Sequence, residues 1–375
     1  MKTVSYIILS IIFLITGSCI TQFLPETDED PNLLVVEGII TDQPEAYTVK
    51  LSRSMPLGKL AVVKPLKGCT VSIRDDQGNM FILSESAPGT YITDKSTFQG
   101  VVGRKYTLHV NTNNSTANHY SYESMPMEMR AVPQIDSLYY EKVVIKEKTE
   151  FSGPQEGCQV YLNTYDSQGL CKFYRWDYSE TWKFILPYYV PNQTCWITNN
   201  SDVINIKNTS VLSEDRITRF PLKFISNETD RLDVRYSILV SQYSVSEDEF
   251  TYWEKLRNIS EEIGGLYDII PSSIPGNIYC IEDPSEQVLG YFSVSAKTSK
   301  RIYIDETFRG LVNLYRECPS DTVNYSAAIP GLNSSVWVII DEPYEGYKVL
   351  TTNKGCADCT VRGTTTRPDF WTDYK

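Results

Sequence analysis

The amino-acid sequence predicts a mainly β protein, with an N-terminal β-sandwich followed by a larger β-rich domain that carries one clear α-helix. Three observations support this fold class. Aromatic residues that favour strands are abundant, with 26 Tyr and 13 Phe in 375 residues. Short segments of alternating apolar and polar residues recur, with turn residues between them. Apolar residues at helical spacing form a persuasive pattern in one segment, residues 246–263.

The first eighteen residues have the pattern of a secretory signal peptide. Lys2 supplies a positive charge, and an apolar run from Val4 to Ile15 follows it. That run is shorter than the about twenty residues of a membrane-spanning helix, which favours cleavage over a permanent anchor. The ending Thr16-Gly17-Ser18-Cys19 resembles a lipobox, although lipoboxes favour Leu where this chain has Thr16. We therefore predict lipid attachment at Cys19; the alternative is ordinary cleavage that leaves Cys19 free or disulfide-bonded.

Residues 19–32 are predicted to be a flexible acidic tether, because they combine acids and prolines without sustained periodicity. Residues 33–127 then show about six short strand patterns separated by turns, typical of an immunoglobulin-like or transthyretin-like β-sandwich. The turn residues Asp75 to Asn79 predict a hairpin. His109 falls on the polar face of its strand, so a solvent-facing role is favoured over a ligand role.

The larger β-rich domain is predicted to span residues 133–350. Within it, Tyr174, Trp176 and Tyr178 share one strand face, while Arg175 and Asp177 share the other. An exposed aromatic face would be a stacking platform for sugars or bases. Burial in the core is the favoured interpretation, since aromatic side chains are usually buried.

The predicted helix begins with a capping box formed by Ser246 and Glu249, and Val245 and Phe250 are placed to close a hydrophobic staple. Gly264-Gly265 is expected to end it. The helix also carries acids that could be proposed as catalytic, but we expect them to be solvated: Glu249, Glu254, Glu261 and Glu262.

Eight cysteines other than Cys19 are possible disulfide cysteines in an exported protein: Cys69, Cys158, Cys171, Cys195, Cys280, Cys318, Cys356 and Cys359. Their pairing cannot be deduced from the sequence. For Cys356 and Cys359 a structural disulfide or tail staple is favoured over a redox pair or half of a zinc site, because a zinc site needs four ligands. Residues 351–375 are expected to form an extended tail whose aromatic residues pack onto the body.

The composition excludes some functions. A formal net charge of −12 disfavours nucleic-acid binding, which depends on clustered Lys and Arg. The sequence has two His, and it contains no His-Glu-x-x-His, phosphate-binding or dinucleotide-binding motif. We therefore predict no catalytic residue, cofactor or metal site. A pair of carboxylates that hydrolyses glycans remains possible, since such pairs leave no fixed spacing in a sequence.

Several segments together resemble a known family. They are Tyr236 to Ser246, Tyr252 to Leu256, Gly264 to Asp268, Pro275 to Tyr279, Val288 to Ser295 and the tail residues Cys356 to Thr360 and Pro368 to Trp371. The chain resembles the domain-of-unknown-function 4249 family of Bacteroidota lipoproteins. This resemblance implies an outer-membrane lipoprotein encoded beside a TonB-dependent receptor, and it supplies no catalytic residues.

The expected function is that of a non-enzymatic outer-membrane lipoprotein of unknown ligand, an accessory or solute-binding partner of a TonB-dependent receptor. The alternatives are a structural or assembly protein of the cell envelope and a hydrolase that acts on glycans or peptides. The membrane would be contacted through the N-terminal lipid. The acidic tether loosely resembles a surface-export signal of the same phylum, which favours the cell surface over the periplasmic face.

Overall fold

The described residues of the computed structural model fold mainly into five β-sheets. The structure describes residues 32–54, 64–112, 120–148, 153–262, 274–312, 318, 320–324 and 337–372. The leader, Cys19, nearly all of the tether, His119 and Gly264-Gly265 lie outside these residues. The mainly β prediction is confirmed. In the described residues, no helix has the length and apolar character needed to cross a bilayer.

The elements are given in chain order. The first ten strands are β1 (Leu34–Ile40), β2 (Thr48–Arg53), β3 (Lys64–Pro65), β4 (Thr70–Asp75), β5 (Met80–Ile82), β6 (Ser84–Ala87), β7 (Thr90–Ile92), β8 (Lys105–Asn111), β9 (Ser121–Ser124) and β10 (Met127–Glu128). The next elements are β11 (Ile135–Lys146), β12 (Gln155–Tyr165), β13 (Phe173–Ile185), β14 (Thr194–Asn200), β15 (Asn205–Asn208), β16 (Arg216–Ile225), a 3-10 turn (Asp230–Leu232), β17 (Arg235–Ser244) and helix α1 (Glu247–Glu262). The last elements are β18 (Ile278–Cys280), β19 (Val288–Val294), β20 (Lys297–Ile304), β21 (Ser320–Asn324), β22 (Val338–Tyr344), β23 (Tyr347–Thr351), helix α2 (Lys354–Ala357) and a 3-10 turn (Cys359–Val361).

The first sandwich consists of two sheets around one core. Sheet I has the order β19-β1-β2-β7-β6 with β3 on β2, and sheet II has the order β18-β9-β8-β4-β5 with β10 on β8. The core lies between them and includes Val36, Ile73, Leu108 and Phe292, all nearly free of solvent exposure. The β-sandwich prediction is therefore confirmed for this part of the chain. Asp75 also forms the expected turn, because its side chain accepts hydrogen bonds from the Gln77 and Asn79 amides.

The sheets do not follow the predicted boundary between residues 127 and 133. Strands β18 and β19 complete sheets II and I, although both lie within residues 133–350, the predicted second domain. The reason is the parallel pairing of β1 with β19, in register from Leu34 opposite Val288 to Ile40 opposite Val294. Parallel neighbours are joined by long connections, so local patterning does not reveal which sheet a distant strand joins.

The second sandwich contains sheet III, with the order β11-β12-β16, and sheet IV, with the order β14-β13-β17-β20 and β15 on β13. Tyr174, Trp176 and Tyr178 are buried in its core, which confirms the core interpretation of the aromatic stripe. Gln242 links β13 to the segment that enters this sandwich: it accepts from Trp176 Nε1 at 2.8 Å and donates to the Pro133 carbonyl at 2.8 Å. A buried amide with both ends paired fixes how these elements meet.

Helix α1 joins the two sandwiches. Ser246 Oγ accepts a hydrogen bond from the Glu249 amide at 3.1 Å, as a capping residue should. Val245 and Phe250 are buried in one cluster with Tyr243 of sheet IV and Ile39 of sheet I. The helix start predicted at Ser246 is therefore confirmed, but the capping box is only half formed, because the Glu249 carboxylate bonds to Ser293 and Trp253 instead of the Ser246 amide. The apolar residues at this end of the helix contact both sandwiches.

The tail packs on the second sandwich through its aromatic residues, but it is not extended throughout as predicted, because it contains helix α2 and a 3-10 turn. Trp371 is 2% exposed, and its ring stands edge-on to Trp196 and Tyr303. Strands β21, β23 and β22 form sheet V. The cysteines of the tail pair with distant partners, Cys359 with Cys195 and Cys356 with Cys318.

Candidate functional site

A groove of about 680 Å³ opens between the outer face of sheet I, helix α1 and the start of β13. Residues of β1 alternate, so that Val36 and Ile40 enter the core while their neighbours face outward. The sheet supplies one side of the groove with Val35, Glu37, Gly38, Ile39, Thr48 and Lys50. This side is apolar at its base, and Glu37 lies opposite Lys50 in the strand register, so a pair of opposite charges stands at the rim.

Helix α1 supplies the facing wall with Tyr252, Trp253 and Leu256. The Tyr252 ring lies 4.9 Å from the ring of Tyr291 on β19 and meets the Trp253 ring edge-on at 5.3 Å. Tyr291 and Ser293 complete the base of the groove beside Gly290. Aromatic walls of this kind, with a few polar groups, are characteristic of small-molecule sites.

Glu249 is buried behind the helix wall, with no exposed surface. Its Oε1 accepts from Ser293 Oγ at 2.5 Å and from Trp253 Nε1 at 3.2 Å. Burial raises the pKa of this carboxyl, and the nearby Arg175 guanidinium opposes that shift only in part. The prediction that Glu249 is solvated was therefore wrong. The prediction failed because the side of the first helical turn that carries Glu249 is buried between the two sandwiches. The local pattern of charges in the sequence does not reveal this tertiary packing.

Arg175 stands at the inner end of the groove and is 8% exposed. Its guanidinium lies 4.5 Å from the Trp253 ring centre and 5.0 Å from that of Tyr243. Nη2 donates to Asp177 Oδ2 at 2.6 Å, whereas Nε is buried and has no hydrogen-bond partner among the residues that the structure describes. The alternation of β13 predicts Arg175 and Asp177 on the strand face opposite the aromatic stripe, but it indicates no role for them. The signal available in the sequence was the position of charged Arg175 between the buried aromatic residues of this strand.

A second, smaller pocket of about 220 Å³ adjoins the groove. Arg175 and Trp253 line both cavities, so these two side chains form the partition between them. The smaller pocket is acidic, because Asp177 and Asp202 line it as well. The combined arrangement can bind a molecule with an apolar body and a polar end.

The other residues singled out in the sequence lie away from this groove. His109 is half-buried and pairs through Nδ1 with Glu123 Oε1 at 2.9 Å. Cys158, Cys171 and Cys280 are buried thiols, and Cys69 is half-buried with its amide bonded to Tyr91 Oη. Burial raises the pKa of Cys158 to about 12 and that of Cys171 to about 11. These two thiols therefore stay protonated at neutral pH and are poor nucleophiles.

The fold and the groove define a protein of two linked β-sandwiches with a helix-walled cavity at their junction. The chain belongs to the family described as Domain of unknown function (DUF4249), whose model matches residues 20–301. The matched range includes every residue that lines the groove. The tail with Cys356 and Cys359 lies beyond it, so the resemblance noted there stays a prediction. A search of the curated proteins gives no match.

Proposed function

We propose that this protein is a non-enzymatic, lipid-anchored protein of the outer membrane that binds a solute in the groove and serves a TonB-dependent receptor as an accessory partner. The observation that carries the binding role is the groove itself. It combines aromatic walls with a buried arginine that has an unpaired donor, at the junction of two sandwiches where ligand sites commonly occur.

The proposed anchor rests on the leader and on Cys19. A Cys19→Ala variant should no longer fractionate with the outer membrane: it should be either soluble in the periplasm or retained with its leader. Each buried methylene of a lipid adds about 0.8 kcal/mol to membrane attachment, so removing the acyl chains should have a large effect. A Cys69→Ala variant provides a control that keeps the lipobox. Unchanged membrane fractionation of the Cys19 variant would contradict the anchor.

The proposed partnership is tested by purifying the native protein from detergent-solubilised membranes and identifying co-purified proteins by mass spectrometry. A TonB-dependent receptor should be recovered with it, and an unrelated lipoprotein purified in the same way is the control. Repeated recovery without any envelope partner would contradict the proposal. A purely structural or assembly role would instead give a protein partner without saturable small-molecule binding in calorimetry.

A further inference from the structure

The groove holds an arginine whose donors are only partly used. A guanidinium has five N–H donors in a planar fork. In the described part of the chain, Arg175 makes one hydrogen bond, from Nη2 to Asp177. Its Nε is buried and unpaired, which costs about 1–3 kcal/mol for a buried donor. An acceptor on a bound ligand would remove that cost.

The Arg175 guanidinium is also held in place before any ligand arrives. It lies against the rings of Trp253 and Tyr243, at 4.5 and 5.0 Å from the ring centres. Stacking on aromatic faces leaves the edges of the planar group available for hydrogen bonds. Asp177 lines the smaller pocket but not the groove. It therefore accepts its hydrogen bond on the side of the guanidinium that faces away from the groove.

Glu249 is the other acid near this guanidinium. Among the described residues, its Oε1 accepts from Ser293 and Trp253, whereas its Oε2 is buried without a hydrogen-bond partner and no ion pair joins it to Arg175. Burial raises the pKa of the Glu249 carboxyl above its ordinary value. At the rim, the charge of Lys50 is offset by Glu37, which lies opposite it in the strand register, so Arg175 is the cation of the groove lining that can pair with an anionic ligand.

Extending the proposed binding role, we infer that the ligand of the groove is an amphipathic carboxylate, whose carboxylate pairs with Arg175 and whose apolar body lies along Ile39, Tyr252 and Leu256. A carboxylate can accept two parallel hydrogen bonds from the planar arginine fork. A doubly charged phosphate is disfavoured by Asp177 and Asp202 behind the partition. The volume suits a small molecule rather than a long chain.

The test measures ligand binding to the mature protein by calorimetry. The ligands are two carboxylates, decanoate and 4-phenylbutyrate, together with the amide and the amine analogues of 4-phenylbutyrate. At least one carboxylate should bind saturably. The phenylbutyramide should bind at least about tenfold more weakly than 4-phenylbutyrate. This corresponds to the loss of one charge-assisted pair, about 1.4 kcal/mol. Arg175→Gln should lower carboxylate affinity by at least about tenfold and leave amide binding unchanged.

A second variant covers the case in which Arg175→Gln does not fold. Lys50→Gln, at the exposed rim, should weaken carboxylate binding by roughly twofold to fivefold, whereas Lys105→Gln on sheet II should have no effect. Equal or tighter binding of the amide or the amine overturns the inference while leaving the groove as a binding site. Absence of saturable binding by both carboxylates also overturns it. Neither result affects recovery of the receptor, which tests the proposed function separately.

Discussion

The side-chain amide of Asn277 pairs with the backbone of Phe292 as a strand residue would. Asn277 Nδ2 donates to the Phe292 carbonyl at 2.8 Å, and the Phe292 amide donates to Asn277 Oδ1 at 2.9 Å. The Asn277 carbonyl accepts from the Met125 amide at 2.7 Å. The hydrogen bonds of Asn277 therefore connect β19 of sheet I, at the groove, to Met125, which follows β9 of sheet II.

Replacing this amide should destabilise the first sandwich. Asn277→Ala leaves the amide and carbonyl of Phe292 buried without partners, and we expect a loss of about 2–4 kcal/mol in the free energy of unfolding. Urea unfolding measures the change. Asn199→Ala, at an exposed position of β14, is the control and should stay within about 0.5 kcal/mol of the native protein. A loss at Asn277 below about 1 kcal/mol would contradict the structural role.

Gly290 should tolerate no side chain, because the chain passes too close to β1. It has a φ of +88°, and a Cβ built there would lie 1.9 Å from the Val36 carbonyl oxygen. Gly78 has nearly the same φ, +85°, but open space around it. Gly78→Ala should therefore cost only the backbone strain, about 1–2 kcal/mol.

Gly290→Ala adds a steric clash to the same strain, and we expect it to cost at least about 2 kcal/mol more than Gly78→Ala. Thermal and urea unfolding of the two variants measure the difference. Similar losses in both variants would mean that β19 does not approach β1 as closely as the structure has it.

The sequence predicted the elements better than their assembly. The strands of the first sandwich and the capped start of helix α1 follow from alternation and capping residues, which are local signals. The pairing of β1 with β19 depends on residues more than 250 positions apart and leaves no local trace. The groove was missed for the same reason, since Arg175, Glu249 and Ser293 meet only after the two sandwiches dock on the helix. Because Glu249 is a charged residue on a helix, the sequence favoured a solvated position for it, which was wrong.

The two disulfides should be found by mapping peptides of the oxidised protein. We expect one linked pair to contain Cys195 with Cys359 and the other to contain Cys318 with Cys356. The first closes a separation of 164 residues, so Cys195→Ser with Cys359→Ser should lower stability by about 2–5 kcal/mol. A peptide in which Cys356 is bonded to Cys359 would contradict this pairing.

Glu249 should make the protein less stable as the pH rises. Burial raises the pKa of its carboxyl above the usual value of 4.5 in the folded state, and Arg175 opposes the shift only partly, while Asp177 adds to it. Between the unfolded and folded pKa values, the folded state binds more protons than the unfolded state. The contribution of Glu249 to stability is therefore fully present below 4.5 and is lost as the pH rises through the folded pKa.

Glu249→Gln removes this titration and keeps an oxygen that can accept from Ser293 and Trp253. The native protein should lose stability relative to this variant between about pH 4.5 and about pH 8, measured by urea unfolding at both values. Glu254→Gln, on the same helix but outside the groove, is the control. Its free energy of unfolding should change with pH in the same way as that of the native protein. If the stability difference between native protein and Glu249→Gln is the same at both pH values, the carboxyl does not have a raised pKa. The junction of the two sandwiches would then not hold Glu249 away from water.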